Sequence, residues 1–193
     1  MKISRSKAAQ AEFSLCLPGY PKKFAALFRA NNLQRKMVSI ANFGIKLISS
    51  MFYIGYSPFL PGTLASLAGF LAYVFLIRAN AAGHLVTVIS CTVIGFALSD
   101  KAEKMFKRKD ARQIVIDDFN GMLIGLLFLP YNLKLSVMGF LVFRVMDGLK
   151  PYPIYKIDKW KGALGIMGDD ILAGAYTNII LQIFWRLASP NFS

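Results

Sequence analysis

Histidine and cysteine are nearly absent from this chain of 193 residues, which contains one histidine and two cysteines. A single histidine, His84, excludes any site that requires two, and with it the lipid phosphatases whose mechanism depends on histidines. The cysteines, Cys16 and Cys91, lie far apart and lack the spacing of metal ligands, so we expect two inert thiols. His84 follows Gly83 in a predicted loop, and we expect its side chain to face solvent.

Charged residues are also scarce. They make up 17% of the chain, against 55% hydrophobic residues, and the mean hydropathy is +0.48. These values lie outside the averages of soluble domains and indicate a membrane protein. The charges are unbalanced, since 23 Lys and Arg face 10 Asp and Glu for a net charge of +13. In so apolar a chain we expect this excess to attract anionic lipid headgroups, and we predict no nucleic-acid partner.

The apolar residues form several runs that are each shorter than the ~20 residues needed to cross a hydrocarbon core. After a first run at 38–56, which suits an interfacial helix, they cover 63–77, 85–98, 114–129, 133–146 and 171–187. Either these helices extend into the flanking motifs, which is the preferred interpretation, or some are core helices of a bundle only partly sunk in lipid. We therefore predict an all-α fold, a polytopic membrane helical bundle with about four to five apolar helices.

The distribution of basic residues predicts an orientation. Residues 1–36 contain eight Lys or Arg and one acid, and the segments 99–113 and 147–170 are also basic. Because basic loops stay on the cytoplasmic side, we expect the acidic motifs on the cytoplasmic face of the membrane. We predict two parts of the chain, a basic N-terminal tail at 1–45 that associates with anionic lipids and a membrane-embedded domain at 46–193.

The stretch from Phe143 to Gly174 holds four of the ten acids among apolar neighbours. They are Asp147, Asp158, Asp169 and Asp170. An isolated buried carboxylate is costly, so a basic side chain or a metal ion must lie between them. We expect Pro151-Tyr152-Pro153 to impose an extended segment and Asp169-Asp170 to open the last helix.

Two further features support a site for a metal ion and a phosphate group. Asp117 and Asp118 are adjacent at the edge of an apolar helix, and hard carboxylate oxygens of this kind suit Mg²⁺. Arg144 and Asp147 stand three residues apart on one helix face, with Lys150 a turn further on. The alternative is a set of structural ion pairs within the membrane. Asp100 and Glu103 also share a helix face, which we expect to be solvated.

The segment GYSPFLPGT, residues 55–63, carries two prolines and two glycines. Such a turn at the start of a helix exposes backbone N–H groups next to the positive end of the helix dipole, which favours an anion. Ser57 and Thr63 would add hydroxyl donors to a phosphate, although a purely structural turn is the better explanation of the segment taken alone, because such turns are common.

Four motifs together resemble the phosphatidylglycerophosphatase A family of bacterial membrane lipid phosphatases. GYSPFLPGT resembles its G-x-SP-x-x-PGT element, and KDARQIVIDDFNG is similar to KD…IV-x-DE-x-x-G. FRVMDGLKPYPI resembles FR-x-x-D-x-x-KP-x-PI, and GALGIMGDDILAG resembles G-x-GIM-x-DD-x-x-AG. The order and spacing agree from Gly55 to Gly174. The family usually has Glu where this chain has Asp118.

The resemblance implies Mg²⁺-dependent hydrolysis of phosphatidylglycerol phosphate to phosphatidylglycerol and inorganic phosphate, a step of phospholipid biosynthesis. Its catalytic and metal-binding residues would be Asp117, Asp118, Asp147, Asp169 and Asp170. Arg144 and Lys150 would bind the substrate phosphate, with Ser57 and Thr63 as further donors. The nucleophile would be a metal-activated water or one of the aspartates.

Two other classes of function compete with this one. A transferase of lipid headgroups that uses a CDP-alcohol would also be a small membrane protein with aspartates and a divalent cation. Its signature D-x-x-D-G-x-x-A-R is not met, because Arg144 stands three residues before Asp147 where that signature requires Asp. A non-enzymatic membrane protein would use the carboxylates for ion pairs or cation passage.

Overall fold

The computed structural model describes residues 37–77, 80–106, 112–160 and 162–188. The chain separates into two units, Met1–Asn42 and Phe43–Ser193, and all residues of the candidate site belong to the second. The basic tail predicted at 1–45 therefore lies almost entirely outside the described residues, as does the Lys109-Asp110 pair of the second motif.

The described residues form seven α-helices and no strand, which confirms the all-α prediction. A 3₁₀ turn at Ile54–Tyr56 precedes the second helix, and a π-helical turn at Tyr73–Ile77 follows it. The helices are α1 (Met37–Ser49), α2 (Pro61–Ala72), α3 (Ala81–Phe106), α4 (Ile116–Gly125), α5 (Leu133–Leu149), α6 (Ile154–Asp158) and α7 (Ala163–Ala188).

The prediction of about four to five membrane helices was wrong in number. Among the described residues two segments are long and apolar enough to cross a membrane, Ala81–Glu103 of α3 and Ala163–Ala188 of α7. Both extend past their apolar runs into the flanking motif residues, as the preferred interpretation required. The run at 114–129 instead yields the ten-residue α4, which is almost wholly buried and acts as a core helix.

The two long helices expose much of their apolar surface. On α3, Val86 and Val93 are 62% and 61% exposed, and on α7 Ile179 and Ile183 are both 54% exposed. Soluble monomers rarely present large apolar patches to water. This distribution is typical of helices that face lipid, since the core helix of a soluble protein would bury these side chains.

The core surrounds α4. Its Met122 and Leu123 are fully buried, and they pack in one cluster with Phe143 of α5 and with Ala173 and Leu181 of α7. α4 therefore has its outer surface covered by neighbouring helices, so polar residues on its first turn are held in a fixed place.

The chain between α5 and α7 is not extended as predicted. α5 ends at Leu149, where Lys150 takes a left-handed conformation with φ of 43°, and the short α6 begins at Ile154. α7 then begins at Ala163, after Gly162 with φ of 73°. Asp169 and Asp170 consequently lie about two turns inside α7 instead of opening it.

Two expectations about polar side chains also need correction. Asp100 is exposed, as expected, but its Oδ1 accepts a hydrogen bond from Ala163 N at 2.6 Å and so caps the start of α7. His84 lies inside α3 and not in a loop, with only 3% of its surface exposed. Its Nε2 lies 2.9 Å from Leu123 O, and its ring packs against Tyr73.

Candidate functional site

Three carboxylates from two helices meet at one point. Asp117 and Asp118 stand in the first turn of α4, and Asp170 lies opposite them on α7. One oxygen of each lies within 4.8 Å of the others. Carboxylates at this spacing repel one another, so the arrangement is typical of a site for a cation.

Two glycines bring these helices together. Gly121 stands one turn after Asp117, and Gly174 one turn after Asp170. A Cβ on Gly174 would collide with Gly121 O, and a Cβ on Gly121 would lie 2.7 Å from Asp170 O. The backbones are therefore in direct contact, as in the small-residue crossings of membrane helices. This close approach places the aspartates one turn away opposite each other.

Arg144 of α5 joins two of the predicted site residues. Its Nη1 lies 2.6 Å from Asp118 Oδ1 and 3.0 Å from Asp147 Oδ2, which confirms the pair predicted on one helix face. The same nitrogen donates to Ser66 Oγ on α2 at 3.0 Å. Arg144 thus connects α2, α4 and α5 through a single charged group.

Lys150 forms ion pairs with two aspartates. Its Nζ lies 2.7 Å from Asp158 Oδ1 and 2.7 Å from Asp169 Oδ2. Burial lowers the pKa of Lys150, but its hydrogen bonds to Asp158 and Asp169 outweigh burial and raise the pKa above its usual value. The side chain is therefore a permanent cation that links α5, α6 and α7.

The surroundings of Asp118 disfavour the charged form of its carboxyl group. Burial raises its pKa to about 6, because the Arg144 guanidinium lowers it only in part and Asp147 raises it further. On the other side, a Cβ on Gly62 would collide with Asp118 Oδ2, so Asp118 packs directly on the first turn of α2. A bound cation would favour the ionised form of this carboxyl group.

Two buried oxygens at the site have no hydrogen-bond partner. Among the described residues these include Oδ1 of Asp169 and Oδ1 of Asp170, both on residues that are less than 10% exposed. Buried polar atoms without partners are rare and costly. Asp170 is one of the three clustered carboxylates and Asp169 is its neighbour in the chain, so the residues present fit a divalent metal ion with hard oxygen ligands.

A cavity of about 200 Å³ opens at this point. It is smaller than the ~300–1,000 Å³ typical of sites for drug-sized ligands, so its size suits a phosphate headgroup and not a whole lipid. Six carboxylates and two cationic side chains lie on its walls. These charged residues are Asp117, Asp118, Asp147, Asp158, Asp169, Asp170, Arg112 and Lys150.

The structure brings most of the predicted site residues together. All five predicted aspartates and Lys150 line the cavity. Arg144 forms ion pairs with two of these aspartates, Asp118 and Asp147. Ser57 and Thr63 are not among the lining residues, and the Ser57 hydroxyl donates to Phe59 O at 3.2 Å. Their predicted contact with phosphate stays a prediction.

Four residues at the site were not predicted. Asp158 and Arg112 line the cavity with Trp160, and Ser66 bonds Arg144. Asp158 had a signal in the sequence, since it belongs to the same acidic stretch as the predicted aspartates. Arg112 lies within the second motif, but nothing in the sequence around it marks it as a site residue. Ser66 has none either, because its contact depends on how α2 crosses α5.

Comparisons with known proteins identify the family of the chain. The family model described as phosphatidylglycerophosphatase A matches residues 47–185. Phosphatidylglycerophosphatase A of Escherichia coli K12 is 36% identical over 70% of this chain and 80% of its own length. The protein of the same name from Haemophilus influenzae is 34% identical over 79% of this chain and 96% of its own.

A third relative carries another name. A protein of Bacteroides thetaiotaomicron, provisionally named a phosphatidylinositol-3-phosphatase, is 32% identical over 71% of this chain and 91% of its own length. No solved structure matches the chain significantly. Each of these relatives is thus named as a phosphatase that acts on a lipid. Two of the names specify a phosphatidylglycerol headgroup, and the third specifies a phosphatidylinositol headgroup.

Proposed function

Because the chain belongs to the phosphatidylglycerophosphatase A family, we propose that it hydrolyses phosphatidylglycerol phosphate to phosphatidylglycerol and inorganic phosphate. The class of enzyme follows from the family: it is a phosphoric monoester hydrolase. The choice of phosphatidylglycerol phosphate rests on the names of two relatives, and the third relative makes a phosphoinositide the nearest competing substrate.

The charge of the cavity carries the proposal. A phosphomonoester near neutral pH has a charge of about −1.5 to −2. Among the residues that the structure describes, six carboxylates and two cationic side chains line the cavity, so an anionic phosphate would be repelled from it. The phosphate binds only if one or more cations offset the carboxylates. Magnesium is the proposed cation, because it is commonly held by carboxylates together with phosphate oxygens and water.

Asp117, Asp118 and Asp170 would hold the ion, since their oxygens already lie close together. Asp147 and Asp169 would complete the set, and the unpartnered Oδ1 of Asp169 supports this role. Once bound, the ion would supply charge for the phosphate oxygens and lower the pKa of a coordinated water.

The basic residues have separate tasks in this proposal. Lys150 has three N–H donors, of which two bond Asp158 and Asp169, so the third is available to a phosphate oxygen in the cavity. Arg144 bonds Asp118 and Asp147 and is best described as the residue that positions these carboxylates. Its contact with the substrate phosphate, expected from the motif, requires that ion binding release it from Asp118.

We place the enzyme in the bacterial inner membrane, with α3 and α7 crossing it and the acidic cavity on the cytoplasmic side. The apolar surface of these helices supports the membrane location, and the basic segments around the cavity support the orientation. The functional domain would be residues 46–193, close to the matched range, and the tail at 1–45 would bind anionic lipids.

The test is phosphate release by the purified protein from three lipids presented in the same detergent. These are phosphatidylglycerol phosphate, phosphatidylinositol 3-phosphate and phosphatidic acid. We expect the highest kcat/KM for the first, and preference for the second would overturn the substrate assignment while leaving the reaction class intact. If lipid is consumed only when a CDP-alcohol is supplied, the protein is a headgroup transferase.

A further inference from the structure

Three exposed aromatic side chains lie in one short stretch between α5 and α7. Residues 152–160, here named the rim segment, include Tyr152, Tyr155 and Trp160, which are 66%, 41% and 53% exposed. Tyrosine and tryptophan are enriched at both membrane–water interfaces, where the ring contacts apolar groups and the polar atom contacts water. Their clustering on so short a segment indicates a surface that contacts this interface.

Two lysines of the rim segment sit above these rings. Lys156 Nζ lies 4.8 Å from the ring centre of Tyr152, and Lys159 Nζ lies 5.1 Å from that of Tyr155. Both lysines are exposed. The rim segment therefore presents ordered positive charge together with aromatic surface, a combination that suits an anionic phospholipid headgroup.

The position of the rim segment agrees with this partner. It ends just before α7, one of the two helices long and apolar enough to cross a membrane. Tyr176, about halfway along α7, donates its hydroxyl to Tyr152 O at 3.3 Å, so the start of the rim segment packs along that helix while its end, Trp160, lies just before the first residue of α7. A residue next to the end of a membrane-spanning helix lies at headgroup depth.

The rim segment also borders the acidic cavity, since Asp158 and Trp160 are among the lining residues. The cavity walls are mainly negative, so an approaching anionic lipid meets unfavourable charge there. Lys156 and Lys159 do not line the cavity, but both stand within two residues of Asp158 and so add positive charge to the segment that borders it.

We propose that the rim segment binds anionic phospholipid headgroups and holds the mouth of the acidic cavity at the membrane surface. This rests on the membrane location proposed above but not on the identity of the substrate. The contact is electrostatic and interfacial, so it distinguishes anionic from zwitterionic lipids rather than one anionic headgroup from another.

The two tryptophans of the chain, Trp160 and Trp185, allow a direct test. A Trp185→Phe variant leaves Trp160 as the sole fluorophore, and Trp160→Phe leaves Trp185 on α7. Each variant is placed in phosphatidylcholine vesicles that contain an equal fraction of brominated phosphatidylcholine or brominated phosphatidylglycerol. Bromines near the headgroup or near the chain ends report the depth of the fluorophore through quenching.

We expect shallow bromines to quench Trp160 more than deep ones, and brominated phosphatidylglycerol to quench it more than the phosphatidylcholine analogue. Adding Lys156→Gln and Lys159→Gln should abolish the preference for the anionic lipid, since each basic residue near the surface enriches it about fivefold. The matched control removes two exposed charges elsewhere, Lys134→Gln and Arg186→Gln, and should keep the preference.

Two results would overturn the proposal. Quenching of Trp185 without quenching of Trp160 would leave the membrane location intact and show that the rim segment faces water. Equal quenching of Trp160 by both brominated lipids would show that the segment reaches the interface without recognising anionic headgroups. Neither readout depends on phosphatase activity, so the proposed function is tested separately.

Discussion

Asp170 is the site residue that we expect to depend most on a bound cation. It is 5% exposed, its Oδ1 has no partner, and Asp117 and Asp118 lie within reach of the same ion. Asp170→Asn keeps the shape and removes the charge. We expect activity to fall at least about 100-fold, because even residues that only support metal ligands typically contribute 10- to 100-fold.

The same substitution separates a catalytic role from a structural one. In EDTA the thermal midpoint of Asp170→Asn should equal or exceed that of the wild type, since the change removes a buried carboxyl group that faces two other carboxyl groups. Asp169→Asn should behave alike in activity but lose a hydrogen bond from Lys150. If Asp170→Asn fails to fold, the acids serve as structural ion pairs and the metal site is refuted.

Asp118 differs in length from the glutamate usual in the family, and the structure shows what a longer side chain would meet. The carboxylate is held between Gly62 and Arg144. Asp118→Glu keeps the charge and the oxygen ligands, so we expect turnover equal to or above that of the wild type. Asp118→Asn is the matched control that removes the charge and should lose activity. An inactive Asp118→Glu enzyme would mean that only the shorter aspartate side chain fits against Gly62.

At the scale of single residues, the sequence predicted which acids gather at the cavity better than which pairs of residues touch. Acids in apolar surroundings were recognisable, and the Arg144–Asp147 pair follows from helix spacing alone. The contacts from Arg144 to Asp118 and from Lys150 to Asp169 join different helices, so they depend on crossing geometry that no local pattern contains. The phosphate contacts predicted for Ser57 and Thr63 stay predictions, and the bond from Arg144 to Ser66 on α2 had no signal in the sequence.

Among the helices, the crossing of α4 and α7 determines whether the site exists. Gly174→Ala would place a Cβ against Gly121 O, a backbone atom that has no rotamer in which to escape. We expect a loss of about 1–3 kcal/mol in the free energy of unfolding, together with reduced activity, because the aspartates one turn away would separate.

Gly148→Ala provides the control for that substitution. A Cβ at Gly148 of α5 meets nothing within 4 Å, and alanine is the better helix former. Thermal unfolding followed by circular dichroism should show it unchanged or slightly stabilised. If Gly174→Ala proves as harmless as Gly148→Ala, then the close crossing does not position the site.

Helix boundaries were predicted less well than helix existence. Apolar runs marked where most of the helices lie, but α3 and α7 continue through polar motif residues because caps, and not hydropathy, end a helix. The start of α7 depends on Asp100, which is distant in sequence and accepts from Ala163 N. α4 was indistinguishable from a membrane helix by composition, and only its packing reveals it as the core.

At the scale of the whole molecule, a bound cation should link folding to activity. A ligand that binds only the folded state at 100 times its Kd stabilises it by about 2.7 kcal/mol, which corresponds to roughly 5–10 °C in Tm for a chain of this size. We expect Mg²⁺ to raise the Tm of the detergent-purified wild type by this amount. Asp170→Asn should show little shift, and an equal shift in that variant would place the ion elsewhere.

The most direct test of the central claim is phosphate release from phosphatidylglycerol phosphate by the detergent-purified protein, measured with Mg²⁺ and with EDTA beside Asp170→Asn. The account predicts release that requires Mg²⁺ and is lost in the variant, because carboxylates of α4 and α7 must hold a cation before an anionic phosphate can enter. Release that persists in EDTA, or that survives Asp170→Asn, would contradict it.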